Sequence, residues 1–475
     1  MNVVVLVVDS LRYDHLGCNG NARVRTPALD AFAKQATVFE GAVVGSFATV
    51  PVRHDLFRGR WGDPFNAWAP LPADAPTLPG LLRDEGYTAM LIHDTPHLIN
   101  FGAGFDRPFH GWDMVRGNEV DRWRTDRITR ADYPCNPAKL RSRDRFAAQT
   151  IRNGLKRQRE EDYCSPRLFA TAMRWLEDNA DHERFLLWID CFDPHEPWDP
   201  PHHYVDFYDP GYDGEDVTFP LYGPSSVVTT RELKRMRALY AAEVTMVDRW
   251  IGRFLDRLDD LGLAERTLVV VASDHGFLFG EHGLIGKGDF YWDVAHQVLM
   301  VRHPAGLGAG RRVPDLVQPV DLFPSVLELV GSPPPPGLDG RSWASALDGE
   351  LVGRELAFSG STRSLEVTEG ALTHVQATDG RWCLLDHPDP GLRELYDLTS
   401  DPSQTRNVAP SEPAVVARLH AALVEHYRAH GATPATLRLL EEGDGAARPT
   451  APPGDTHAWV RDALGPRNFL PAELD

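Results

Sequence analysis

An aspartate at the end of one apolar run and an Asp-His pair at the end of another are the first candidates for chemistry. Asp9 follows NVVVLVV, and Asp274 and His275 follow TLVVVAS. Two carboxylates and one imidazole suit a divalent cation such as Mn²⁺, Ca²⁺, Mg²⁺ or Zn²⁺. Because Asp-His-Gly also occurs in ordinary turns, the pair alone does not distinguish a metal site from a turn.

The segment TVPVR, from Thr49 to Arg53, is a candidate anion site. Pro51 fits the first turn of a helix, which would place Thr49 at the helix N-terminus. Free backbone amides and the helix dipole favour an anion there, and Arg53, one turn later, could bind a sulfate or phosphate with two hydrogen bonds. An ordinary helix start followed by a surface arginine would give the same sequence.

Two loops could add cationic and proton-donating groups. The segment DHGFLFGEHGLIGKGDF contains five glycines and would turn His282 and Lys287 back toward the strand end. In DCFDPHEPW, two prolines favour an extended loop that presents His195. A lone histidine is more often structural, but its place after a strand end makes His195 a candidate catalytic acid.

The elements that would position these groups alternate between strands and helices. Three short apolar runs end at Asp9, Asp190 and Asp274, and continuous runs of this kind are typical of parallel strands covered on both faces. Ligands of such sheets bind at the carboxyl ends of the strands. Helices are predicted between the runs, at residues 26–35, 79–85, 166–179 and 231–261. We therefore predict an α/β fold with a mainly parallel sheet flanked by helices.

We predict a catalytic domain of residues 1–350, a smaller α+β domain of residues 351–440 and a tail of residues 441–475. The run SPPPPG is a stiff, linker-like segment shortly before the first boundary. An Arg-rich stretch at about residues 114–164 interrupts the α/β pattern. It is either an insertion that faces the substrate or a solvated helical excursion.

Composition excludes several classes of protein. The 475 residues, 42% of them hydrophobic, exclude a disordered tail or a disulfide-stapled miniprotein. The net charge of −19 argues against a nucleic-acid partner. Five scattered cysteines without a CxxC pair favour a reducing, cytoplasmic location. The apolar N-terminal run is too short to span a membrane and has no basic leader, so we expect a buried strand.

In their order along the chain, these motifs resemble those of the sulfatase family of the alkaline phosphatase superfamily. The resemblance begins at VVVLVVDSLRYDHLGCNG and continues through TVPVR, GYTAML, GFD, FDPHEPW and DHGxxxGEHGLxGK. It extends through PVDLFPSVLELVGSPPPPGLDGRS and ELYDLTSDPSQTRNVA, to about residue 410. It implies an alkaline phosphatase-like large domain, a hydrolase that acts on esters and a small anionic ester substrate. It permits dimers or tetramers, and the sequence selects neither.

The resemblance implies a role for each candidate residue. Four residues would ligate one divalent metal ion: Asp9, Thr49, Asp274 and His275. Thr49 would also be the nucleophile, Arg53 and Lys287 would hold the transferred group, and His195 would lie near the leaving-group oxygen. The remaining substrate-binding candidates are Thr95, His97 and His282. Asp190 and Asp193 are the residues that could add a second metal ion.

Three departures from the family pattern affect the mechanism. Thr49 stands where the family has a Cys or Ser that is converted to formylglycine, and the extra methyl group of threonine forbids that aldehyde. Ser10 replaces a second aspartate, which removes one negative charge from the metal shell. Thr95 stands in place of an anion-binding lysine, whereas His97 keeps the family's histidine.

These departures favour a phosphoester over a sulfate ester. A formylglycine sulfate can expel sulfate by carbon–oxygen cleavage, whereas an ester of Thr49 must be attacked by water at its central atom. Phosphothreonine intermediates occur elsewhere in the superfamily, so we predict a metal-dependent hydrolase of phosphodiesters or phosphonate monoesters. The alternatives are a true sulfatase that works without formylglycine, a catalytically silent binding protein, and transfer to an acceptor alcohol.

Overall fold

The computed structural model describes residues 1–350, 353–361 and 374–442, and its centre is a large β-sheet. The strands, in chain order, are β1 (Asn2–Val8), β2 (Thr37–Ala42), β3 (Thr88–His93), β4 (Gly111–Met114), β5 (Phe185–Cys191), β6 (Gly223–Pro224), β7 (Thr267–Ser273), β8 (Leu278–Phe279), β9 (Leu284–Gly286), β10 (Leu299–Arg302), β11 (Arg312–Val317), β12 (Ala357–Ser359), β13 (Val375–Thr378), β14 (Trp382–Asp386) and β15 (Glu394–Asp397).

The large sheet has eight strands in the order β11-β2-β10-β7-β1-β5-β3-β4. Strand β10 is antiparallel to both of its neighbours, and every other neighbouring pair is parallel. All residues of the central strands β1, β5 and β7 are buried. Burial of both faces explains why these strands are continuous apolar runs, and it confirms the predicted mainly parallel sheet.

Helices cover both faces of this sheet. In chain order, the helices of the described residues are α1 (Pro27–Ala33), α2 (Thr49–Arg58), α3 (Leu78–Asp84), α4 (Ala148–Gly154), α5 (Cys164–Asn179), α6 (His202–Val205), α7 (Thr230–Asp260), α8 (Trp292–Ala295), α9 (Leu322–Val330), α10 (Pro413–Ala429) and α11 (Pro434–Glu442). The last two, α10 and α11, pack on a second sheet and not on this one. The four helices predicted between the apolar runs correspond to α1, α3, α5 and α7.

The alternation of side chains along β1 divides the core into two layers. Val4, Leu6 and Val8 pack in one layer with apolar side chains of α1, α5 and α7. The other face of the strand packs with side chains of α2, α3 and α9. Because successive side chains of a strand point to opposite faces, one seven-residue strand anchors both layers.

A second, antiparallel sheet follows, in the order β12-β13-β14-β15. Its core includes side chains of α10 and α11 together with Trp61 and Phe65 from the N-terminal part of the chain. The C-terminal α+β unit is therefore present and packs on the larger one. Residues 351 and 352 lie outside the described residues, so the boundary at 350 stays a prediction. From residue 443 onward, the predicted tail also lies outside the described residues.

Between β4 and α5, the Arg-rich stretch forms α4 and several short 3₁₀ turns. All five cysteines lie in the described ranges and none is paired in a disulfide. Across those same ranges, no helix is long and apolar enough to cross a bilayer.

Truncation of a buried side chain in β5 is expected to destabilise the fold. Leu187 is fully buried in the core layer shared with α5 and α7, so Leu187→Ala should lower the free energy of unfolding by about 2–5 kcal/mol. Leu392 is 53% exposed, and Leu392→Ala is the matched control. Urea denaturation of both variants checks this, and equal losses in the two would contradict the assignment of β5 to the core.

Candidate active site

The carboxyl ends of three parallel strands bring the candidate acids together. Strand β1 is aligned so that Val8 lies opposite Cys191 on β5 and Ser273 on β7. Asp9 and Asp274 therefore follow their strands at the same level. Asp190 occupies the next-to-last position of β5, opposite Val7. The register of the sheet, rather than any local motif, makes these carboxylates neighbours.

The N-terminus of α2 lies at this edge of the sheet. Thr49 is the first residue of the helix and is buried. The residue before it, Ala48, offers no side-chain acceptor to the first turn. Among the described residues, the amides of Thr49 and Val50 have no acceptor and can bind an anion. One turn later, the Arg53 Nη1 atom donates to the Thr49 carbonyl oxygen at 3.2 Å.

The guanidinium of Arg53 is fully buried among three carboxylates. Its Nε and Nη2 atoms donate to the two oxygens of Asp190 at 3.0 and 2.9 Å. Its Nη1 atom donates to Asp274 Oδ2 and lies 3.2 Å from Asp9 Oδ2. We expected Arg53 to hold the transferred group. In the structure, its guanidinium binds carboxylates at the carboxyl ends of three strands, β1, β5 and β7. Asp190 was not predicted to bind Arg53, although its place near a strand end is the same signal that identified Asp9.

Ser10, considered above only as a lost charge, orients two carboxylates. Its hydroxyl donates to Asp9 Oδ1 at 2.8 Å, and its backbone amide donates to Asp274 Oδ1 at 2.8 Å. The residue adopts a left-handed conformation with φ of 58°. Such backbone conformations are uncommon outside glycine and often occur at functional sites.

His275 has one ring nitrogen engaged and one available. Its Nδ1 atom lies 3.0 Å from the carbonyl oxygen of Gly276 and so carries the proton. Burial lowers the pKa of His275 to about 4, so the ring is neutral near pH 7. Its Nε2 atom is buried without a hydrogen-bond partner among the described residues. A Cβ at Gly276 would lie 2.0 Å from the Asp293 carbonyl oxygen, which explains why glycine follows this histidine.

Asp9, Asp274 and His275 fit a divalent cation. One ligand atom from each lies within 4.8 Å of the others, and Asp9 Oδ2, like His275 Nε2, is buried without a hydrogen-bond partner among the described residues. Burial, together with Asp274, raises the pKa of Asp9 well above its usual range. Three buried carboxylates around one guanidinium leave an excess of negative charge that a divalent cation would balance.

Lys287 and His195 form a pair beside this cluster. Lys287 Nζ lies 2.6 Å from His195 Nε2, and His195 Nδ1 lies 2.6 Å from the Glu196 carbonyl oxygen. Burial and the Lys287 ammonium hold the pKa of His195 well below its ordinary value. His195 is therefore neutral, and Lys287 is the donor of the pair. The same ammonium acts to lower the pKa of Asp9, so the pair lies close to the carboxylates.

The three other predicted substrate-binding residues have different surroundings. Thr95 donates through Oγ1 to Asp190 Oδ1 at 2.6 Å, so it supports the carboxylate that holds Arg53. His97 binds Glu119, with 2.7 Å between Nε2 and Oε2. The ring of His282 stacks on Tyr291 at 3.6 Å. The other described contact of His282 is with Asp293, with 3.7 Å between Nε2 and Oδ2.

Two family models match the chain. The sulfatase model matches residues 1–332, and a model described as the C-terminal part of N-sulphoglucosamine sulphohydrolase matches residues 280–429.

Curated relatives and solved structures agree with these matches. Arylsulfatase K of Bos taurus is 31% identical over 199 residues, which is 40% of this chain and 36% of that protein. Arylsulfatase K of Homo sapiens is 25% identical over 457 residues, or 87% of this chain and 80% of that protein. The phosphonate monoester hydrolase of Agrobacterium radiobacter has the same fold, with a TM-score of 0.71, 22% identity and coverage of 90% of this chain and 96% of that one. The chain therefore belongs to the sulfatase family, and it is an ester hydrolase.

Proposed function

We propose that this hydrolase uses Thr49 as its nucleophile and acts on phosphodiesters or phosphonate monoesters. The observation that carries the proposal is the buried threonine at the uncapped first turn of α2. Arg53 connects this turn to the cluster of Asp9, Asp190 and Asp274. In this proposal, the Thr49 hydroxyl would use the anion-binding helix terminus and the metal ion held by Asp9, Asp274 and His275.

The chemistry of threonine supports phosphorus over sulfur. Its β-carbon carries a methyl group, so oxidation cannot give the aldehyde from which formylglycine enzymes expel sulfate. In the proposed reaction, the Thr49 hydroxyl loses its proton to solvent, and the bond from Thr49 Oγ to phosphorus forms while the bond to the leaving-group oxygen breaks. That oxygen takes a proton from Lys287. Water then attacks the same phosphorus, returns a proton to Lys287 and releases Thr49. First-turn amides of α2 and the Lys287 ammonium would stabilise the charge on the equatorial oxygens.

The pair of Lys287 and His195 supplies the leaving-group proton in this scheme. His195 is neutral with its proton on Nδ1, which faces the Glu196 carbonyl oxygen. The transferable proton is therefore held on the Lys287 ammonium, in its hydrogen bond with His195 Nε2. Departure of an alkoxide is assisted by a positioned acid of this kind.

One divalent cation completes the proposed site. Asp9, Asp274, His275 and the Thr49 hydroxyl would hold it, and Mn²⁺, Ca²⁺, Mg²⁺ and Zn²⁺ all suit this donor set. When bound, such an ion lowers the pKa of a ligated hydroxyl and attracts negative charge on the transferred group.

A sulfate ester is the second candidate substrate. The sulfatase family models and the likeness to arylsulfatase K favour it, and the substrate panel below separates the two. The silent-protein alternative is also decided there. The cytoplasmic location stays a prediction, and neither a dimer nor a tetramer is predicted.

Metal analysis is expected to find one divalent ion per chain. After removal of metal and incubation with Mn²⁺, dialysed wild-type protein should retain one ion, because three protein ligands besides Thr49 form the site. Asp274→Asn should lose most of it, whereas Asp74→Asn, at an exposed loop position, should not. Inductively coupled plasma mass spectrometry measures the ratio. Two ions per chain would contradict the single-metal proposal and point to Asp190 and Asp193.

Steady-state hydrolysis of four 4-nitrophenyl esters tests the nucleophile and the substrate class. The panel is the phosphate, the phenylphosphonate, the bis-phosphate diester and the sulfate. The diester or the phosphonate should have a kcat/KM more than tenfold above that of the sulfate. Thr49→Val, which keeps the shape but lacks the hydroxyl, should be inactive and retain its metal. Sulfate as best substrate would overturn the preference, activity in Thr49→Val would remove the nucleophile, and no reaction with any ester would favour the silent protein.

Removal of the Lys287 ammonium is expected to slow the chemical step. Because one charged donor to the transition state would be lost, Lys287→Ala should lower kcat by about a hundredfold to a thousandfold. Lys234→Ala, at a mostly exposed lysine on α7, is the control and should keep the wild-type rate. A change of less than threefold in Lys287→Ala would show that the ammonium does not contact the reacting group.

A further inference from the structure

Two charged side chains of the Arg-rich stretch, Glu119 and Arg141, lie next to the two histidines of the site, His97 and His195. Glu119, only 4% exposed, accepts a hydrogen bond from His97 Nε2 at 2.7 Å. Arg141 Nη2 lies 3.0 Å from Glu196 Oε1 and 3.6 Å from Glu119 Oε1. Arg141 therefore bridges the carboxylate bound to His97 and the carboxylate next to His195.

The position of Arg141 is fixed on several sides. Its guanidinium lies over the rings of Phe219 and Tyr222, at 4.5 and 4.2 Å from their centroids. Its backbone amide donates to the Phe219 carbonyl oxygen at 3.0 Å. The Tyr222 hydroxyl donates to the same Glu196 oxygen that Arg141 binds. These contacts tie the Arg-rich stretch to the segment around Tyr222 and leave the guanidinium little freedom.

Glu196 transmits this restraint to His195. The Glu196 carbonyl oxygen lies 2.6 Å from His195 Nδ1, and its Oε2 atom lies 3.4 Å from the same nitrogen. The opposite nitrogen of His195 contacts Lys287. The ring also stacks on Phe192 at 4.2 Å, and Phe192 in turn contacts His97. Both histidines therefore belong to one packed unit.

Glu119 stays ionised over the working pH range. Burial alone would raise the pKa of Glu119, but the hydrogen bond from His97 and the nearby charge of Arg141 lower it to about 2. Glu119 is an anion above that pH, so it accepts the hydrogen bond from His97 Nε2–H and cannot donate one. The Nε2–H of His97 therefore faces Glu119, which fixes the orientation of the ring.

We propose that Glu119 and Arg141 are positioning residues for the hydrolysis: Glu119 fixes the ring of His97, and Arg141, through Glu196, holds His195 against Lys287. The inference rests on the proposed function. On this proposal, the Arg-rich stretch contributes residues to the active site and is not only a solvated helical segment.

Kinetics of matched variants test the positioning role. Glu119→Gln keeps the size of the side chain but loses its charge. Arg141→Met keeps most of the length of the side chain but loses the guanidinium. Each should lower kcat/KM for the best ester by about tenfold to a hundredfold. The double variant should lose no more than about the larger single loss, because both act through one unit. Arg141→Lys should recover part of the rate.

Exposed positions of the same stretch are the controls. Glu161→Gln and Arg143→Met replace exposed side chains of the same types, and both should stay within twofold of wild type. If Glu119→Gln and Arg141→Met also stay within twofold while wild type is active, the inference is overturned.

A second measurement is independent of catalysis. In protein labelled with ¹⁵N-histidine, the ring nitrogens of His97 and His195 are assigned by His97→Gln and His195→Gln. Glu119→Gln should shift the His97 signals and Arg141→Met the His195 signals, whereas the controls should shift neither. Unchanged signals in folded variants overturn the inference even if wild type hydrolyses esters. If the variants shift these signals but the wild type hydrolyses none of the esters, the positioning role is supported and the proposed function is rejected.

Discussion

The burial of one guanidinium among carboxylates from three parallel strands is the constraint on which the site depends. Arg53 satisfies Asp190 with two hydrogen bonds and reaches Asp274 and Asp9 with its remaining nitrogen. Breaking a buried ion pair typically costs about 3–5 kcal/mol because a charge is left unpaired. The register of β1, β5 and β7 and the position of the first turn of α2 therefore both depend on the side chain of Arg53.

This constraint leaves the site short of positive charge. Three buried carboxylates face Arg53, and the nearby Lys287 is engaged with His195. A cation bound by Asp9, Asp274 and His275 would relieve the excess, which explains why lone pairs on Asp9 and His275 are left without hydrogen bonds among the described residues. Binding of a divalent cation would therefore be favoured by the negative charge of these carboxylates.

Membership of the sulfatase family and the identity of Thr49 bear on different questions. The family match establishes the fold and the class of ester hydrolysis. The threonine bears on how the proposed covalent intermediate would be resolved, because its methyl group excludes the aldehyde route. A site with the sulfatase scaffold and an unmodified alcohol is closer in chemistry to phosphoryl transfer, and this is the physical basis of the proposed substrate preference.

The sequence alone determined the sheet, the helices around it and the strand-end acids. Apolar periodicity is local, and strands that end in Asp9 and Asp274 must meet at one edge of a parallel sheet. The partners of Asp190, the carboxylate-orienting role of Ser10 and the contact of Glu119 with His97 were decided only by tertiary structure. Those contacts join segments distant in sequence, and their geometry depends on how loops pack across the sheet edge. No spacing of residues along the chain encodes such packing.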